Sequence, residues 1–424
     1  MSVLKEPIIL SGAGIGGLFT ALCLERQGLS SIILEKSDEL SEVGAGIQIG
    51  ANGAHLIREL GLEQAIQQYA LCPEYGYMMD GKSGKEICTI PLNRFAQKKY
   101  QLPYYQIHRA DLLKVLLDAV NQRLPNCIKL RQELVSIQQQ EHGISVETRL
   151  GERFFGSLLV GCDGIHSQVR NLLFKDGDPV FSGALAWRAL VPLTSQNEQI
   201  VDQVKVWVGE GKHLVQYPVN KGKALNLVAV VDAETPLPER WHGGVPNQEF
   251  QQAFDDWCPE VKKLVSCASD SLCWGLYSRP VLAKWSIGRA TLLGDAAHAM
   301  LPSLAQGAVM AMEDGYELAA CLSQNDDIEQ ALDAYESARI NRSIRAQNAA
   351  RKNHKVFHLH KKILTRLSFF VLRILEQIGC FLPGGKSLSL AERLISRRYY
   401  WLYGYKRASV PSEAEASAGR PNSI

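Results

Sequence analysis

The sequence predicts an α/β protein in which an antiparallel β-sheet is inserted into a lobe built on a βαβ unit and a helical region follows. Three observations carry this prediction. The chain begins with a short apolar run, a glycine-rich loop and an apolar stretch of helical period. Its middle part carries longer runs in which polar and apolar residues alternate, and its last third is mainly of helical period.

Composition and charge exclude several classes of protein. Apolar residues make up 46% and charged residues 21% of the 424 residues, which is typical of globular proteins and excludes disordered and fibrous classes. The 46 Lys and Arg nearly balance the 44 Asp and Glu, so no whole-chain field would recruit nucleic acid. The ten cysteines lack the two-residue spacing of metal or thiol-redox sites. We therefore expect reduced thiols, no bound metal and no nucleic-acid partner. The first residues show no apolar stretch of the length of a secretory signal, so we expect a cytoplasmic protein. Its oligomeric state, monomer or homodimer, does not follow from the sequence.

The first element is a nucleotide cradle. Pro7–Leu10 reads as a strand, Leu18–Arg26 as a helix and Ser31–Leu34 as a second strand, which together make a βαβ unit. Between the first strand and the helix stands G-x-G-x-x-G, whose glycines permit a tight turn, a close pyrophosphate and close helix packing. An acid that closes the second strand accepts hydrogen bonds from an adenosine ribose. The predicted cradle is therefore Rossmann-like, and its residues are Gly12, Gly14, Ile15, Gly16, Gly17, Glu35 and Lys36.

The elements that follow divide between two lobes. Tyr75–Cys88 reads as a hairpin around a turn at 80–84, Asp111–Arg123 as a helix, and Ile128–Val160 as strands with a turn near Gly143. A second sheet is predicted from four alternating strands, namely Trp187–Pro192, Val204–Val208, His213–Pro218 and Ala224–Val231. Arg289–Leu293 reads as one more buried strand, and helices follow from Gln306 onwards.

These elements predict lobes made of separate segments of the chain. We assign 1–74, 98–180 and 283–350 to the nucleotide-binding lobe, 75–97 and 181–282 to a substrate lobe, and 351–407 to a helical C-terminal region. Residues 408–424 are too polar to order themselves, so they predict a disordered tail. Residues 361–382 alternate basic and apolar side chains, a pattern that packing against the body or a dimer mate explains more commonly than membrane contact.

Three motifs in order give a family resemblance. After the glycine loop come Val160–Arg170, reading VGCDGIHSQVR, and Arg289–His298, reading RATLLGDAAH. With Gly44–Ile47, Gln106–Leu112 and the aromatic string Trp401–Tyr405, these resemble the single-component FAD-dependent aromatic monooxygenases. The resemblance runs from about residue 8 to 405. It is strongest to the branch that contains salicylate hydroxylase, 3-hydroxybenzoate 6-hydroxylase and 6-hydroxynicotinate 3-monooxygenase.

The resemblance implies cofactors, a reaction and a set of flavin contacts. It implies tightly bound FAD reduced by transient NADH or NADPH, and oxygen transfer from a C4a-hydroperoxyflavin to a small phenolic or hydroxylated aromatic acid. The carboxylate of the Gly-Asp pair would bind the ribityl chain, and the first amides of the helix after Gln306 would stabilise anionic reduced flavin. The chain departs from many members because Pro302 does not directly follow His298. The flavin contacts implied beyond the glycine loop are Ala45, Gly46, Arg109, Leu134, Asp163, Gly164, Asp295, Pro302, Gly307 and Ala308.

The substrate side of the prediction depends on one strand. His213 and Tyr217 are four residues apart, so both leave the same face of an alternating strand. A satisfied Tyr and a partly buried His would give the same pattern, and the residues alone leave both interpretations open. The resemblance favours catalysis by His213, Tyr217 and Gln306, with His213 as the base that takes the phenolic proton.

Other residues and other classes of function stay open. Arg188 would meet a substrate carboxylate or pair within the sheet. The histidines at 354, 358 and 360 lack an acid or Cys that would complete a metal site, so we expect a solvated or interfacial face. The alternative functions are a quinone-pathway hydroxylase at a membrane surface, a flavin-dependent reductase or halogenase, and a redox-sensitive interaction module.

Overall fold

The computed structural model of the chain describes residues 6–40, 46–193, 203–236, 247–268, 271–358 and 398–405. The predicted tail, the 361–382 segment, His360 and the candidate Ala45 lie outside these residues. Among the described residues no disulfide forms, and no helix is long and apolar enough to cross a membrane.

A five-stranded parallel sheet forms the centre of the nucleotide-binding lobe. Its order is β17-β11-β1-β2-β7, and its strands are β1 (Ile8–Ser11), β2 (Ser31–Leu34), β7 (Ile128–Lys129), β11 (Leu158–Gly161) and β17 (Ala290–Leu292). The apolar runs of β1 and β11 are buried throughout, as parallel strands covered on both faces require. Because the strands are parallel, the residues that follow β1, β2, β11 and β17 meet at one edge of the sheet.

Helices and two small sheets complete this lobe. The small sheets are β3 (Gly46–Ile49) with β6 (Tyr105–His108), and β8 (Leu134–Gln140) with β9 (Gly143–Thr148) and β10 (Arg153–Gly156). The helices are α1 (Ile15–Arg26), α2 (Ala51–Glu59), α3 (Glu63–Gln67), α4 (Asn93–Tyr100), α5 (Arg109–Arg123), α6 (Gln168–Phe174), α9 (Asp295–His298), α10 (Gly307–Gln324) and α11 (Ile328–Phe357). A 3₁₀ turn at Pro302–Leu304 precedes α10, and residues 398–403 are helical.

The second lobe is a seven-stranded sheet of order β16-β12-β15-β14-β13-β4-β5. Its strands are β4 (Tyr75–Asp80), β5 (Glu86–Pro91), β12 (Val180–Pro192), β13 (Val204–Gly209), β14 (Lys212–Val219), β15 (Ala224–Asp232) and β16 (Ser271–Ser278). The predicted hairpin at 75–88 supplies β4 and β5. The sheet is antiparallel except where β13 pairs with β4, because β4 reaches the sheet from an earlier insertion instead of through a hairpin.

The two faces of the second sheet differ in what covers them. On one face, α7 (Asn247–Gln252) and α8 (Pro259–Ser266) help to bury an aromatic core that includes Trp207, Phe254 and Trp257. The opposite face carries His213 and Tyr217 and meets elements of the first lobe. Successive side chains of a strand point to opposite faces, so this division follows directly from the alternation in the sequence.

Candidate active site

The glycine loop after β1 leaves open space above the start of α1. Gly12 has φ of 110°, and a Cβ there would stand 2.6 Å from the carbonyl oxygen of Cys162. At Gly14 a Cβ would meet nothing within 4 Å. No side chain caps the N-terminus of α1, so its first backbone N–H groups remain available to an anion. The loop therefore has the shape and the polarity that a pyrophosphate needs.

Glu35 stands directly after β2, beside this loop. Its Oε2 accepts a hydrogen bond from the backbone N–H of Ala13 at 2.8 Å, and its Oε1 accepts one from Ser37 at 2.9 Å. These two bonds hold the carboxylate at the edge where a ribose would follow the pyrophosphate. Lys36, the next residue, is exposed.

Asp163 has a structural task in the second motif. Its carboxylate accepts hydrogen bonds from the Ser167 hydroxyl at 2.5 Å and from the backbone N–H groups of Gln168 and Val169 at 2.8 and 3.2 Å. Burial raises the pKa of Asp163, and these bonds oppose that rise. The carboxylate therefore fixes the start of α6. Gly164, at φ of 78°, leaves open space beside it.

Asp295 lines a cleft in the third motif. The side chain reaches solvent inside the cleft, but the protein around the carboxyl group partly desolvates it and raises its pKa, while the charges of His298 and Arg109 oppose the rise. A Cβ at Gly307 would stand 3.9 Å from Asp295 Oδ1, so the start of α10 lies beside the same carboxylate. The structure thus brings Arg109, Asp295 and Gly307 into one region.

These features fit FAD. The open glycine loop and uncapped α1 suit the pyrophosphate, Glu35 suits a ribose, and the cleft at Asp295 suits the ribityl chain. No side chain caps α10 at Gln306, so its N–H groups can face a flavin edge. Of the other predicted contacts, Leu134 is buried in the main core and Pro302 is exposed in the turn before α10.

Three rows of side chains cross the inner face of the second sheet. Strand register aligns Ala186, Val230 and His213 in the first row, Arg188, Val228 and Val215 in the second, and Leu190, Asn226 and Tyr217 in the third. Four residues of strand separate His213 from Tyr217, a distance of about 13 Å. This face therefore presents an imidazole and a phenol on β14 and, two strands away on β12, a cation at the level between them.

Tyr217 lies against the first lobe. A Cβ at Gly46 would stand 1.9 Å from its ring, so only glycine allows this contact. Burial raises the pKa of the Tyr217 hydroxyl, and Arg188 opposes that rise. Tyr217 is therefore a neutral O–H group at cellular pH, which suits hydrogen bonding and not proton abstraction.

Gln306 and Tyr104 lie among buried polar partners that the sequence did not reveal. Gln306 Oε1 accepts a hydrogen bond from Asn52 Nδ2 at 3.0 Å, and the same Nδ2 donates to Glu313 at 2.8 Å. The Tyr104 hydroxyl donates to Gln48 Oε1 at 2.8 Å, and burial raises its pKa well above the ordinary value. The single polar residues Asn52 and Tyr104 carry no motif, so only their neighbours in space identify them.

His213, on β14, packs against the end of α11. Its Nδ1 is 2.6 Å from Nε2 of His358, whose Nδ1 is 2.6 Å from Asp232 Oδ1. Burial, reinforced by His358 and His354, holds the pKa of His213 well below its ordinary value. The expected solvated or interfacial face is wrong for His358, which is buried, because β14 and β15 bring His213 and Asp232 to it.

A buried ion network stands behind Gln306. Asp314 accepts hydrogen bonds from Arg339 at 2.7 Å and from His298 at 2.5 Å, and Glu313 accepts from Arg339 at 2.7 Å and Arg342 at 2.6 Å. Burial alone would raise the pKa of Asp314, but His298 and Arg339 outweigh it and hold the value at about 2. Every charge in this group faces an opposite charge.

The aromatic string 401–405 closes over the network. Arg342 donates to the carbonyl oxygens of Trp401 at 2.5 Å and Leu402 at 2.8 Å. The Tyr405 hydroxyl donates to Glu317 at 2.8 Å, and the Tyr403 ring lies against Gly50. The string thus joins α10, α11 and the loop before α2.

A dinucleotide cradle that fits FAD, beside a sheet face bearing His213, Arg188 and Tyr217, defines an FAD-dependent monooxygenase of aromatic rings, with NAD(P)H as electron donor and dioxygen as oxidant. Comparison with known proteins agrees. The family model described as "FAD binding domain" matches residues 5–350. The chain belongs to this family.

Named relatives and solved structures are similar over most of the chain. It is 37% identical to 3-hydroxybenzoate 6-hydroxylase 1 of Aquipseudomonas alcaligenes, over 81% of this chain and 87% of the relative. It is 32% identical to 6-hydroxynicotinate 3-monooxygenase of Pseudomonas fluorescens, over 82% of this chain and 90% of the relative. Klebsiella pneumoniae HpxO, solved with FAD and uric acid, superposes with a TM-score of 0.79 at 26% identity and covers 87% of this chain and 93% of its own.

Proposed function

We propose that the enzyme hydroxylates a small aromatic acid that carries a ring hydroxyl, of the hydroxybenzoate or hydroxynicotinate kind. The observation that carries the proposal is the inner sheet face, which presents a neutral imidazole and a phenol on β14 and a guanidinium on β12 beside a site that fits FAD. The named activities of the relatives are ring hydroxylations of such acids, which supports the same substrate class.

In this proposal His213 is the base. A free phenol titrates near 10, so its ring is a weak nucleophile at neutral pH until a base removes the hydroxyl proton. The lowered pKa of His213 keeps its imidazole neutral and able to accept a proton at cellular pH. FAD, when bound, supplies the activated oxygen. Tyr217 and Gln306 position the substrate through neutral hydrogen bonds, which the raised pKa of Tyr217 favours.

Arg188 binds the substrate carboxylate in this proposal. It stands in the row between His213 and Tyr217, and its guanidinium lies 4.9 Å from the centre of the Trp274 ring, which holds it in place. A planar guanidinium recognises a carboxylate through two parallel hydrogen bonds. The spacing of about 13 Å between the outer rows leaves room for one aromatic acid.

The cofactor contacts proposed are the residues of the glycine loop, the acid after β2 and the groups around Asp295. They are Gly12, Gly14, Ile15, Gly16, Gly17, Glu35, Lys36, Ala45, Gly46, Arg109, Leu134, Asp163, Gly164, Asp295, Pro302, Gly307 and Ala308. We further propose the lobe boundaries given above, a cytoplasmic location and a monomer or homodimer.

One experiment tests the function. The purified protein is examined for a flavin spectrum, and NADH and NADPH oxidation are measured against hydroxybenzoates, hydroxynicotinates and anthranilates, with identification of products and peroxide. We expect a bound flavin and coupled hydroxylation of at least one hydroxylated acid. Flavin reduction without any hydroxylated product would favour a reductase. The quinone-pathway alternative rested on residues near Phe369 and Phe370, which lie outside the described residues; product formation only with lipidic rings would favour it.

A further inference from the structure

We infer that His358 and Asp232 extend His213 into a proton relay that leads from the substrate hydroxyl to the protein surface. The inference rests on the proposed role of His213 as base and names two positioning residues behind it. Its basis is a continuous chain of two hydrogen bonds, each of 2.6 Å, between His213 Nδ1 and His358 Nε2 and between His358 Nδ1 and Asp232 Oδ1.

The carboxylate fixes the tautomer of both imidazoles. Asp232 accepts only, so His358 carries its proton on Nδ1 and, being neutral, has a lone pair on Nε2. That lone pair in turn accepts a proton from His213 Nδ1–H. His213 is then left with its lone pair on Nε2, the nitrogen turned away from His358. The arrangement therefore selects the form of His213 that can accept a proton from a bound phenol.

Along this series of hydrogen bonds, the side chains become more exposed in the direction in which the proton leaves. The side chain of His358 is 3% exposed and His213 is buried, whereas the side chain of Asp232 is 36% exposed. A buried His213 does not retain a positive charge, as its lowered pKa indicates, so an arriving proton must be passed on. The titratable groups that face His213 are His354 and His358 at the end of α11; Asp232 at the end of β15 is bonded to His358, and Arg188 on β12 lies in the next row of the sheet.

The transfer balances in both directions. The phenolic proton moves to His213 Nε2, the proton on His213 Nδ1 moves to His358 Nε2, and the proton on His358 Nδ1 moves to Asp232, which exchanges it with water. When the ring oxygen of the product is reprotonated, the same three transfers run backwards and restore both tautomers. No net charge stays on either imidazole.

A metal ion is the other occupant that this cluster suggests. The ligand atoms of His213, His354 and His358 all lie within 4.8 Å of one another. Two imidazole nitrogens on one tetrahedral zinc, each about 2.05 Å from it, stand about 3.3 Å apart. The 2.6 Å between His213 and His358 matches a shared proton and is too short for a shared metal ion. His354, whose Nε2 is 3.7 Å from Asp232, stands beside the relay and supplies a matched control.

The first test does not depend on turnover. In protein labelled with ¹⁵N-histidine, we expect long-range ¹⁵N spectra in which His213 and His358 are neutral and protonated on Nδ1. Asp232→Asn should remove the preference for protonation on Nδ1 at both imidazole rings, and Asp232→Glu should restore it. His213 protonated on Nε2 in the wild type, or spectra that Asp232→Asn leaves unchanged, would overturn the relay. So would one equivalent of zinc in the purified protein that His358→Gln removes.

The second test separates the relay from the proposed function. With the acid that gives coupled hydroxylation, His358→Gln and Asp232→Asn should lower kcat about tenfold to a hundredfold, with KM and FAD content unchanged, and His354→Gln should leave kcat within about twofold. The pH profile of kcat should shift in both relay variants, and Asp232→Glu should recover the wild-type profile. If His213→Ala is slow while both relay variants keep the wild-type rate and profile, the relay is wrong and the base assignment stands. If His213→Ala itself turns over normally, the base assignment and the relay both fail.

Discussion

Two buried polar clusters lie along helix α11, and they differ in whether they reach solvent. Towards its middle, Arg339 and Arg342 meet Glu313 and Asp314 in a network where each charge faces its opposite. At its end, His358 links neutral His213 to an exposed carboxylate. The first cluster is closed inside the protein, whereas the second is open to solvent at one end.

The difference separates structural from chemical use of buried polar groups. The charges of His298 and Arg339 lower the pKa of Asp314 to about 2, so this carboxylate stays charged at all ordinary pH values. Such a network joins helices but has no proton to give. In the second cluster burial lowers the pKa of His213, so a lone pair stays available. We therefore expect substitutions in the first cluster to change stability and substitutions in the second to change turnover.

The largest expected effect follows removal of the shared cation. Arg339→Leu leaves two buried carboxylates with one fewer counter-charge, so the free energy of unfolding should fall by about 3–5 kcal/mol. Denaturant titration followed by flavin and tryptophan fluorescence measures it. The control is Arg149→Leu, whose pair with Glu133 is on the surface and should matter little. A wild-type midpoint in Arg339→Leu would show that the network is not structural.

The next effect is on turnover at the other cluster. His213→Ala should lower coupled hydroxylation by about 10²–10⁴-fold, because general base catalysis is lost. NAD(P)H oxidation should continue with release of peroxide, and FAD should stay bound. The matched control is His142→Ala, a histidine whose side chain is 88% exposed. Product and peroxide yields per NAD(P)H measure the result, and undiminished coupled turnover would exclude His213 as the base.

Acid should affect the two clusters in different pH ranges. The folded pKa of His213 is depressed, so the unfolded chain binds more protons below about 6.5 and stability falls from there as pH decreases. Asp314, at about 2 instead of 3.8, contributes stability that is present above about pH 4 and is lost as pH falls towards 2. The lowered pKa of Asp314 contributes about 2 kcal/mol to the free energy of unfolding.

Unfolding free energies measured from pH 8 to 3 test this order. In His213→Ala the decline below pH 6.5 should be shallower, although His354, whose pKa burial also lowers, keeps part of it. The steeper loss below pH 4 should stay as in the wild type. Identical profiles above pH 5 would mean that His213 is not held neutral by the fold.

The smallest expected effect comes from the residue that joins the closed network to the catalytic side. Asn52→Ala removes hydrogen bonds to Gln306 and Glu313, which should cost about 1–2 kcal/mol of unfolding free energy and lower the coupled fraction of NAD(P)H oxidation. Gln306→Ala keeps the bond from Asn52 to Glu313, so it should lower coupling with a smaller loss of stability. Equal stability losses in both variants would contradict this division.

Local patterns in the sequence were enough to predict the main architecture. The glycine loop, the acid after the second strand and the alternation of β14 each depend on neighbours a few residues away, and the structure has the expected strands and helices there. Resemblance supplied the motif around Asp295. The four-residue spacing from His213 was enough to predict that Tyr217 lies on the same face of the sheet. The contact of Tyr217 with Gly46 could not be predicted from that spacing.

The contacts that complete the site join distant parts of the chain. His358 is 145 residues from His213, and Asn52 is 254 residues from Gln306. No periodicity connects such pairs, so the histidines near the end of α11 looked like a solvated or interfacial face. Asp163 shows the converse, because the residue identified from a flavin motif also caps α6.

The strand order of the five-stranded sheet determines when this sheet can be completed during synthesis of the chain. Its N-terminal strand β1 pairs with β11. The other edge of β11 pairs with β17, whose last residue is Leu292. Closing such long loops is slow, since their entropy must be lost before the distant contacts form. More than two thirds of the chain must therefore leave the ribosome before β11 is paired on both sides and the sheet is complete, and apolar strand edges exposed in the meantime favour aggregation. The nascent chain therefore completes its nucleotide pocket late. A shortage of flavin or of chaperones should reduce the yield of folded protein in cells more than it reduces the resistance of the folded protein to denaturants.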